Sequence, residues 1–216
     1  MDIVDPRIEA YMAERLRRFD EPVLLEMEAE AVRRGFPIVG RNVGVTLEVL
    51  ARSVGARRVM ELGSGFGYSA YWFARAVGPG GEVHCTDGDP ANAEAGASFL
   101  ARAGLGDRVT YHVGDAVEQL SLLDGPFDVV FCDIDKTGYP DAWRFDFASG
   151  PQQAGMLIGK CCPVQSGRWI ADWALKALHG EPGDSGEEIG LREYKTDCTL
   201  DYKRWPQEIS QFNYCS

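Results

Sequence analysis

One stretch of the chain combines an acidic residue with a glycine-rich turn, a pairing typical of nucleotide sites. A short apolar run ends in the acid Glu61. Three alternating glycines then follow: Gly63, Gly65 and Gly67. Glycine lets the backbone approach a ligand closely, because a Cβ would collide with it. A dinucleotide-binding turn has its third glycine one position later, where this chain has Tyr68.

A second acid ends the next apolar run. Asp87 follows Glu82–Thr86, where the second strand of a nucleotide-binding fold carries an acid that accepts hydrogen bonds from a ribose. The glycine turn and Asp87 together indicate an adenosine-type ligand. The alternative is a sharp turn followed by a solvated aspartate.

Six acidic residues end, or nearly end, strands in the expected fold. They are Glu61, Asp87, Asp115, Asp133, Asp135 and Asp172. Like charges that meet at one edge of a sheet repel, and a divalent cation with oxygen ligands would relieve that repulsion. We expect Asp133 and Asp172, on neighbouring strands, to be the best pair of ligands. Alternatively, such acids cap helices or face water.

Lys136 follows these acids, two residues beyond an apolar strand and beside Asp135. A lysine near a bound cation can serve as the base that deprotonates a substrate hydroxyl. The spacing alone favours a different interpretation, a surface lysine paired with Asp135.

The elements that must position these residues alternate between strand and helix. Hydrophobic periodicity predicts strands at Arg58–Leu62, Glu82–Asp87, Val109–Val113, Phe127–Cys132 and Trp169–Asp172. It predicts helices from Asp5-Pro6 to about Phe19, and at Glu21–Arg34, Gly44–Ser53, Ala70–Val77, Asp89–Ala103 and Val117–Leu122. This order predicts an α/β fold, a doubly wound and mostly parallel sheet with N-terminal helices. Residues 145–167 show little periodicity. Leu191–Leu200 is a candidate helix, and the tail Ile209–Ser216 is a candidate edge strand.

Length and composition restrict the class of protein. A chain of 216 residues suits one domain, with N-terminal helices in residues 1–55, a nucleotide-binding core in 56–144 and a less regular part in 145–216. A net charge of -11 argues against nucleic acid as a partner, since phosphate binding needs a basic face. No apolar run reaches membrane-spanning length. The six cysteines lack metal-site spacing, so we expect free thiols and a cytoplasmic protein.

The same residues carry a resemblance to a known family from about Val4 to Trp143. The motifs are Asp5-Pro6-Arg7-Ile8, Glu61-Leu62-Gly63 through Gly67-Tyr68-Ser69, Asp87-Gly88-Asp89, Gly114-Asp115-Ala116, and Asp133-Ile134-Asp135-Lys136 with Tyr139. In these motifs the chain resembles the cation-dependent, S-adenosylmethionine-using O-methyltransferases of the catechol and caffeoyl-CoA type, especially their small bacterial members. The resemblance implies a Rossmann-like class I methyltransferase fold.

The resemblance also implies roles for individual residues. The methyl donor, S-adenosylmethionine, would be lined by Val39, Glu61, Gly63, Ser64, Gly65, Ser69, Asp87, Ala116 and Asp135. Asp133 and Asp172 would hold Mg²⁺ or another divalent cation, and Lys136 matches the catalytic base. The acceptor would be a small catechol-like aromatic, and because such enzymes are commonly dimers, a homodimer is an expectation.

The C-terminal third departs from the family pattern. The family ends its fifth strand in Asp-Asn, both metal ligands, whereas the best match here has Asp172 followed by Trp173. An indole N–H cannot ligate a metal. Either this part of the chain diverges from the family or its coding sequence carries an error.

Three functional hypotheses follow from these residues. The first is an O-methyltransferase in which a metal and Lys136 assist deprotonation of the acceptor. The second is a methyltransferase-like protein that binds S-adenosylmethionine but has an impaired metal site, and methyl transfer by Lys136 without a metal lies between them. An NAD-dependent oxidoreductase is disfavoured by the displaced third glycine.

Overall fold

A fully parallel five-stranded sheet forms the centre of the protein in a computed structural model, which describes residues 6–135, 138–142 and 154–159. Its strands are β1 (Arg58–Leu62), β2 (Glu82–Asp87), β3 (Val109–Val113), β4 (Phe127–Cys132) and β5 (Ala154–Gly159). They lie in the order β3-β2-β1-β4-β5. The winding direction reverses between β1 and β4, and such a point opens a ligand crevice at the carboxyl ends of the strands. The doubly wound parallel sheet expected from the sequence is confirmed.

Helices in the described residues cover both faces of this sheet. They are α1 (Pro6–Leu16), α2 (Pro22–Arg34), α3 (Gly40–Ser53), α4 (Tyr68–Val77), α5 (Pro90–Arg102), α6 (Ala116–Ser121) and α7 (Tyr139–Ala142). Short 3₁₀ turns lie at Arg17–Phe19 and Gly106–Arg108. Proline in the first turn begins α2 and α5, because its fixed φ suits that position and its missing N–H is not needed there. None of these helices is both long and apolar enough to pass through a membrane.

The side chains of strand β1 alternate between two hydrophobic cores, one on each face of the sheet. Val59 packs in the larger core with Trp72 and other side chains of α2, α3 and α4, whereas Met60 and Leu62 pack in the smaller core below the sheet. Successive side chains of a strand point to opposite faces. Glu61 therefore points to the same face as Val59, into the larger core and away from solvent.

The structure corrects the sequence prediction in two places. Helix α3 begins at Gly40 rather than Gly44, so Val39 is its N-terminal flanking residue. The strand beside β4 is β5, in a stretch for which periodicity predicted no strand. Both edges of β4 are thus paired, to β1 and to β5. The predicted strand Trp169–Asp172 itself lies outside the described residues.

Candidate functional site

The glycine turn after β1 brings the backbone of two strands together. Gly63, Gly65 and Gly67 all have positive φ, at 83°, 52° and 87°. A Cβ on Gly63 would lie 2.7 Å from the backbone oxygen of Asp133, the first residue after β4. Helix α4 begins directly after Gly67. The turn can therefore be built only with glycine, and it forms the floor of the crevice at the switch point.

Thr86 on β2 fixes this turn to the neighbouring strand. Its buried hydroxyl donates to the backbone oxygen of Glu61 at 3.1 Å and accepts from the N–H of Gly63 at 3.0 Å. Its backbone oxygen accepts from the N–H of Ser64 at 2.7 Å. The position of the turn is therefore set by hydrogen bonds from within the sheet, before any ligand binds.

Glu61 places a carboxyl group under the turn with no exposure to solvent. Oε2 accepts a hydrogen bond from the thiol of Cys85 at 3.7 Å. Burial, opposed in part by nearby hydroxyls of Ser69 and Ser64 and reinforced by the charge of Asp133, raises the pKa of Glu61 to about 7. Within the described residues, Glu61 Oε1 and Ser64 Oγ have no hydrogen-bond partner. Buried polar atoms without partners are costly, so they indicate a polar group of a ligand at this place.

Asp87, at the end of β2, is oriented by three N–H donors. Oδ2 accepts from the backbone of Gly65 at 2.9 Å. Oδ1 accepts from the backbone of Asp89 at 2.8 Å and from the side chain of Asn92 at 3.1 Å. An ionised carboxylate accepts about four hydrogen bonds. Half-buried Asp87 can thus hold the turn and still accept a hydroxyl from a ligand.

The other predicted site residues that the structure describes lie at or near the ends of helices and strands. Ser69 is buried in the first turn of α4, and Ala116 is the first residue of α6. Val39 flanks α3, and half-exposed Asp133 and exposed Asp135 follow β4. Lys136 and Asp172 lie outside the described residues.

An ionic network connects the N-terminal end of α3, which Val39 flanks, to α2 and α4. Arg41, two residues into α3, pairs with Asp20 and with Glu28 of α2, the latter through Nε at 2.6 Å. Glu28 also accepts from the hydroxyl of Tyr68 at 2.7 Å. Tyr68 begins α4, so the network connects α2, α3 and the glycine turn.

The acidic residues at the strand ends have separate roles. Asp115 accepts from the backbone N–H groups of Val117 and Glu118 at 3.0 and 2.9 Å, and so caps α6. For this residue the helix-capping interpretation is confirmed. Glu61 lies below the turn and Asp87 is occupied in orienting it. Across the described residues, no group of three histidine, cysteine or acidic side chains could hold a metal ion.

Sequence reasoning missed two residues that contact this site. Asn92 in α5 donates to Asp87, and Arg34 at the end of α2 donates to Asn92. An asparagine in the first turn of a helix is a weak signal of such a role, and nothing in the local sequence marks Arg34.

The comparisons with known proteins agree with this geometry. A family model described as O-methyltransferase matches residues 17–147, more than half of the chain. A protein named catechol O-methyltransferase from Mycobacterium tuberculosis is 39% identical over 134 residues, which cover 61% of this chain and 60% of that protein. Another of that name, from Niastella koreensis, is 33% identical over 146 residues, which cover 65% of each chain. Both matches span less than two thirds of the relative's length.

The fold has solved counterparts of the same kind. The crystal structure of the O-methyltransferase TomG from Streptomyces achromogenes, in complex with SAM, has a TM-score of 0.60 and 29% sequence identity. It covers 82% of this chain and 77% of that chain. The fold is therefore that of the Rossmann-like class I methyltransferases.

Proposed function

Because the chain belongs to the O-methyltransferase family, we propose that it transfers a methyl group from S-adenosylmethionine to a hydroxyl group of a small catechol-like aromatic. The observation that carries the proposal is the crevice at the switch point, where a glycine turn lies between the buried carboxyl of Glu61 and the oriented carboxylate of Asp87. A neighbour with this fold is solved with SAM. The names of two relatives supply the catechol part of the proposal.

The described residues fit such a donor. The unpartnered Glu61 Oε1 and Ser64 Oγ are suited to its ammonium group, since a buried carboxylate gains most from a cationic partner. Asp87 is suited to the ribose hydroxyls through its remaining acceptor capacity. The family resemblance adds Val39, Ser69, Ala116 and Asp135 to the proposed donor contacts. The sulfonium of the donor supplies the electrophilic methyl group, and the role of this chain is to hold the acceptor oxygen in line with it.

The base in this proposal is Lys136, which follows the carboxyl end of β4 in sequence. Removing the hydroxyl proton turns the acceptor into a stronger nucleophile. The Lys136→Ala variant should lose turnover and keep donor affinity nearly unchanged. If both fall together, Lys136 has a structural role instead.

The described residues do not by themselves assemble a cation site. Asp133 would supply oxygen ligands after β4, but Asp115 caps α6 and Glu61 accepts from Cys85. The residues after β5 in sequence are Lys160, Cys161 and Cys162, where the family has carboxylate and amide ligands. No step of the proposed reaction is therefore routed through a metal.

This departure favours a second candidate function, binding of S-adenosylmethionine without efficient methyl transfer.

One experiment distinguishes methyl transfer from binding without transfer. Methyl transfer from S-adenosylmethionine to catechol is measured with Mg²⁺ and with EDTA, and binding of S-adenosylhomocysteine is measured by calorimetry on the same preparation. Activity with Mg²⁺ but not with EDTA supports the metal-assisted reaction. Activity under both conditions supports catalysis by Lys136 without a metal. Donor binding without activity on a panel of catechols supports the binding protein. Absence of donor binding refutes both.

A further inference from the structure

We propose that Arg34 and Asn92 are positioning residues that hold Asp87 in the conformation needed to bind the donor ribose. This inference rests on the proposed function, because it takes Asp87 as the ribose acceptor. It is carried by a chain of hydrogen bonds that begins on α2, passes through α5 and ends at β2.

Asn92 is the middle residue of this series of hydrogen bonds. It is only 6% exposed, and its amide group lies between two charged side chains. Its oxygen accepts from Arg34 Nη2 at 2.6 Å, and its nitrogen donates to Asp87 Oδ1 at 3.1 Å. An amide has one accepting and one donating side. The guanidinium therefore selects the orientation in which the NH₂ group faces the carboxylate.

Without Arg34, only the hydrogen bond to Asp87 opposes rotation of the amide. A rotated Asn92 would turn its oxygen toward the carboxylate of Asp87, which cannot donate to it when ionised. Asp87 would lose one of its two donors to Oδ1 and be held less firmly, by the backbone N–H groups of Asp89 and Gly65 alone.

Arg34 is itself fixed by aromatic rings. Its guanidinium carbon lies 5.1 Å from the ring centre of Phe36 and 5.5 Å from that of Phe66. Both distances suit cation–π attraction. Phe36 in turn lies over the glycine turn, since a Cβ on Gly65 would be 2.7 Å from its Cε1. Arg34 therefore keeps a defined direction although it ends a surface helix.

The test compares three single variants of the full chain with the wild type. Arg34→Met removes the guanidinium and keeps an unbranched stem, and Asn92→Leu removes the amide at similar volume. Arg33→Met is the matched control, because it removes the same charge from the preceding residue, whose partner is Glu30. Each variant is titrated with S-adenosylhomocysteine, and its melting temperature is recorded without ligand.

We expect Asn92→Leu to bind S-adenosylhomocysteine about tenfold more weakly, as for loss of a hydrogen bond to a charged group. Arg34→Met should weaken binding about threefold to tenfold. Arg33→Met should bind as the wild type does. An analogue of S-adenosylhomocysteine without the ribose hydroxyls should bind the wild type, Arg34→Met and Asn92→Leu with the same affinity.

The double variant Arg34→Met/Asn92→Leu identifies the route. If Arg34 acts through Asn92, the double variant binds no more weakly than Asn92→Leu alone. Additive losses would mean that Arg34 acts through Phe36 and would overturn the proposal. So would equal losses for both ligands, or losses that only follow the melting temperature. Failure of the wild type to bind S-adenosylhomocysteine would refute the proposed function, and this inference with it.

Discussion

Replacing Glu61 by glutamine should change how the stability of the protein depends on pH. Burial raises the pKa of Glu61 from the ordinary 4.5 to about 7. A shift of that size corresponds to about 3 kcal/mol of preference for the protonated carboxyl in the folded state. Because the folded-state pKa lies above the unfolded-state value, the wild type loses this stability as the pH rises from about 4.5 to about 7. Glutamine has no proton to lose and keeps a constant contribution.

Urea unfolding of donor-free protein in EDTA measures this effect. Between about pH 5 and about pH 8, the free energy of unfolding of Glu61→Gln should rise by about 2–3 kcal/mol relative to that of the wild type. Other titrating groups, such as His84 and His112, cancel in this difference. Glu94→Gln, at an exposed position, should follow the wild type. Parallel pH profiles for wild type and Glu61→Gln would refute the reasoning.

Two further predictions concern the same crevice. At about pH 6, binding of S-adenosylhomocysteine should release a proton from Glu61, because a bound ammonium group favours the carboxylate, so binding enthalpies should differ between phosphate and Tris buffers. Equal enthalpies would contradict this, and the difference should vanish in Glu61→Gln. Gly65→Ala should lower the free energy of unfolding by about 1–3 kcal/mol, because φ is 52° and the new Cβ would lie 2.7 Å from Phe36 Cε1. Gly88→Ala, with no atom within 4 Å of its Cβ, is the control, and equal melting temperatures for both variants would contradict the argument.

The sequence predicted β1 to β4 and the glycine turn because their signals are local. Each strand is a short apolar run bounded by polar or glycine residues, and the positive φ of Gly63, Gly65 and Gly67 can be anticipated from residue type. Strand β5 has only Met156, Leu157 and Ile158 between two glycines, with Pro151 and Pro163 nearby. Its assignment depends on pairing with β4, a contact that periodicity does not reveal.

The side-chain contacts within the site could not be predicted from the sequence, for a different reason. Arg34 and Asn92 are 58 positions apart, and their hydrogen bond exists only because α2 and α5 pack side by side. Cys85 is a free thiol, as expected from the sequence, but its hydrogen bond to Glu61 depends on the register between β1 and β2. Residue type limits what a side chain can do, whereas packing decides which partner it meets.

The pairing of both edges of β4 bears on which residues could bind a metal ion. Asp133 follows a strand whose residue Phe131 is aligned with Glu61 on one side and with Ile158 on the other. Mg²⁺ binds through one or two carboxylates when water and substrate supply the remaining oxygens. If Asp133 is the main protein ligand, the acceptor oxygens would supply some of the remaining ligands, so catechol and Mg²⁺ should each strengthen the binding of the other. Calorimetric titration of Mg²⁺ in the presence of S-adenosylhomocysteine, with and without catechol, measures this coupling. Equal Mg²⁺ affinity in both titrations would mean that the acceptor does not share the cation.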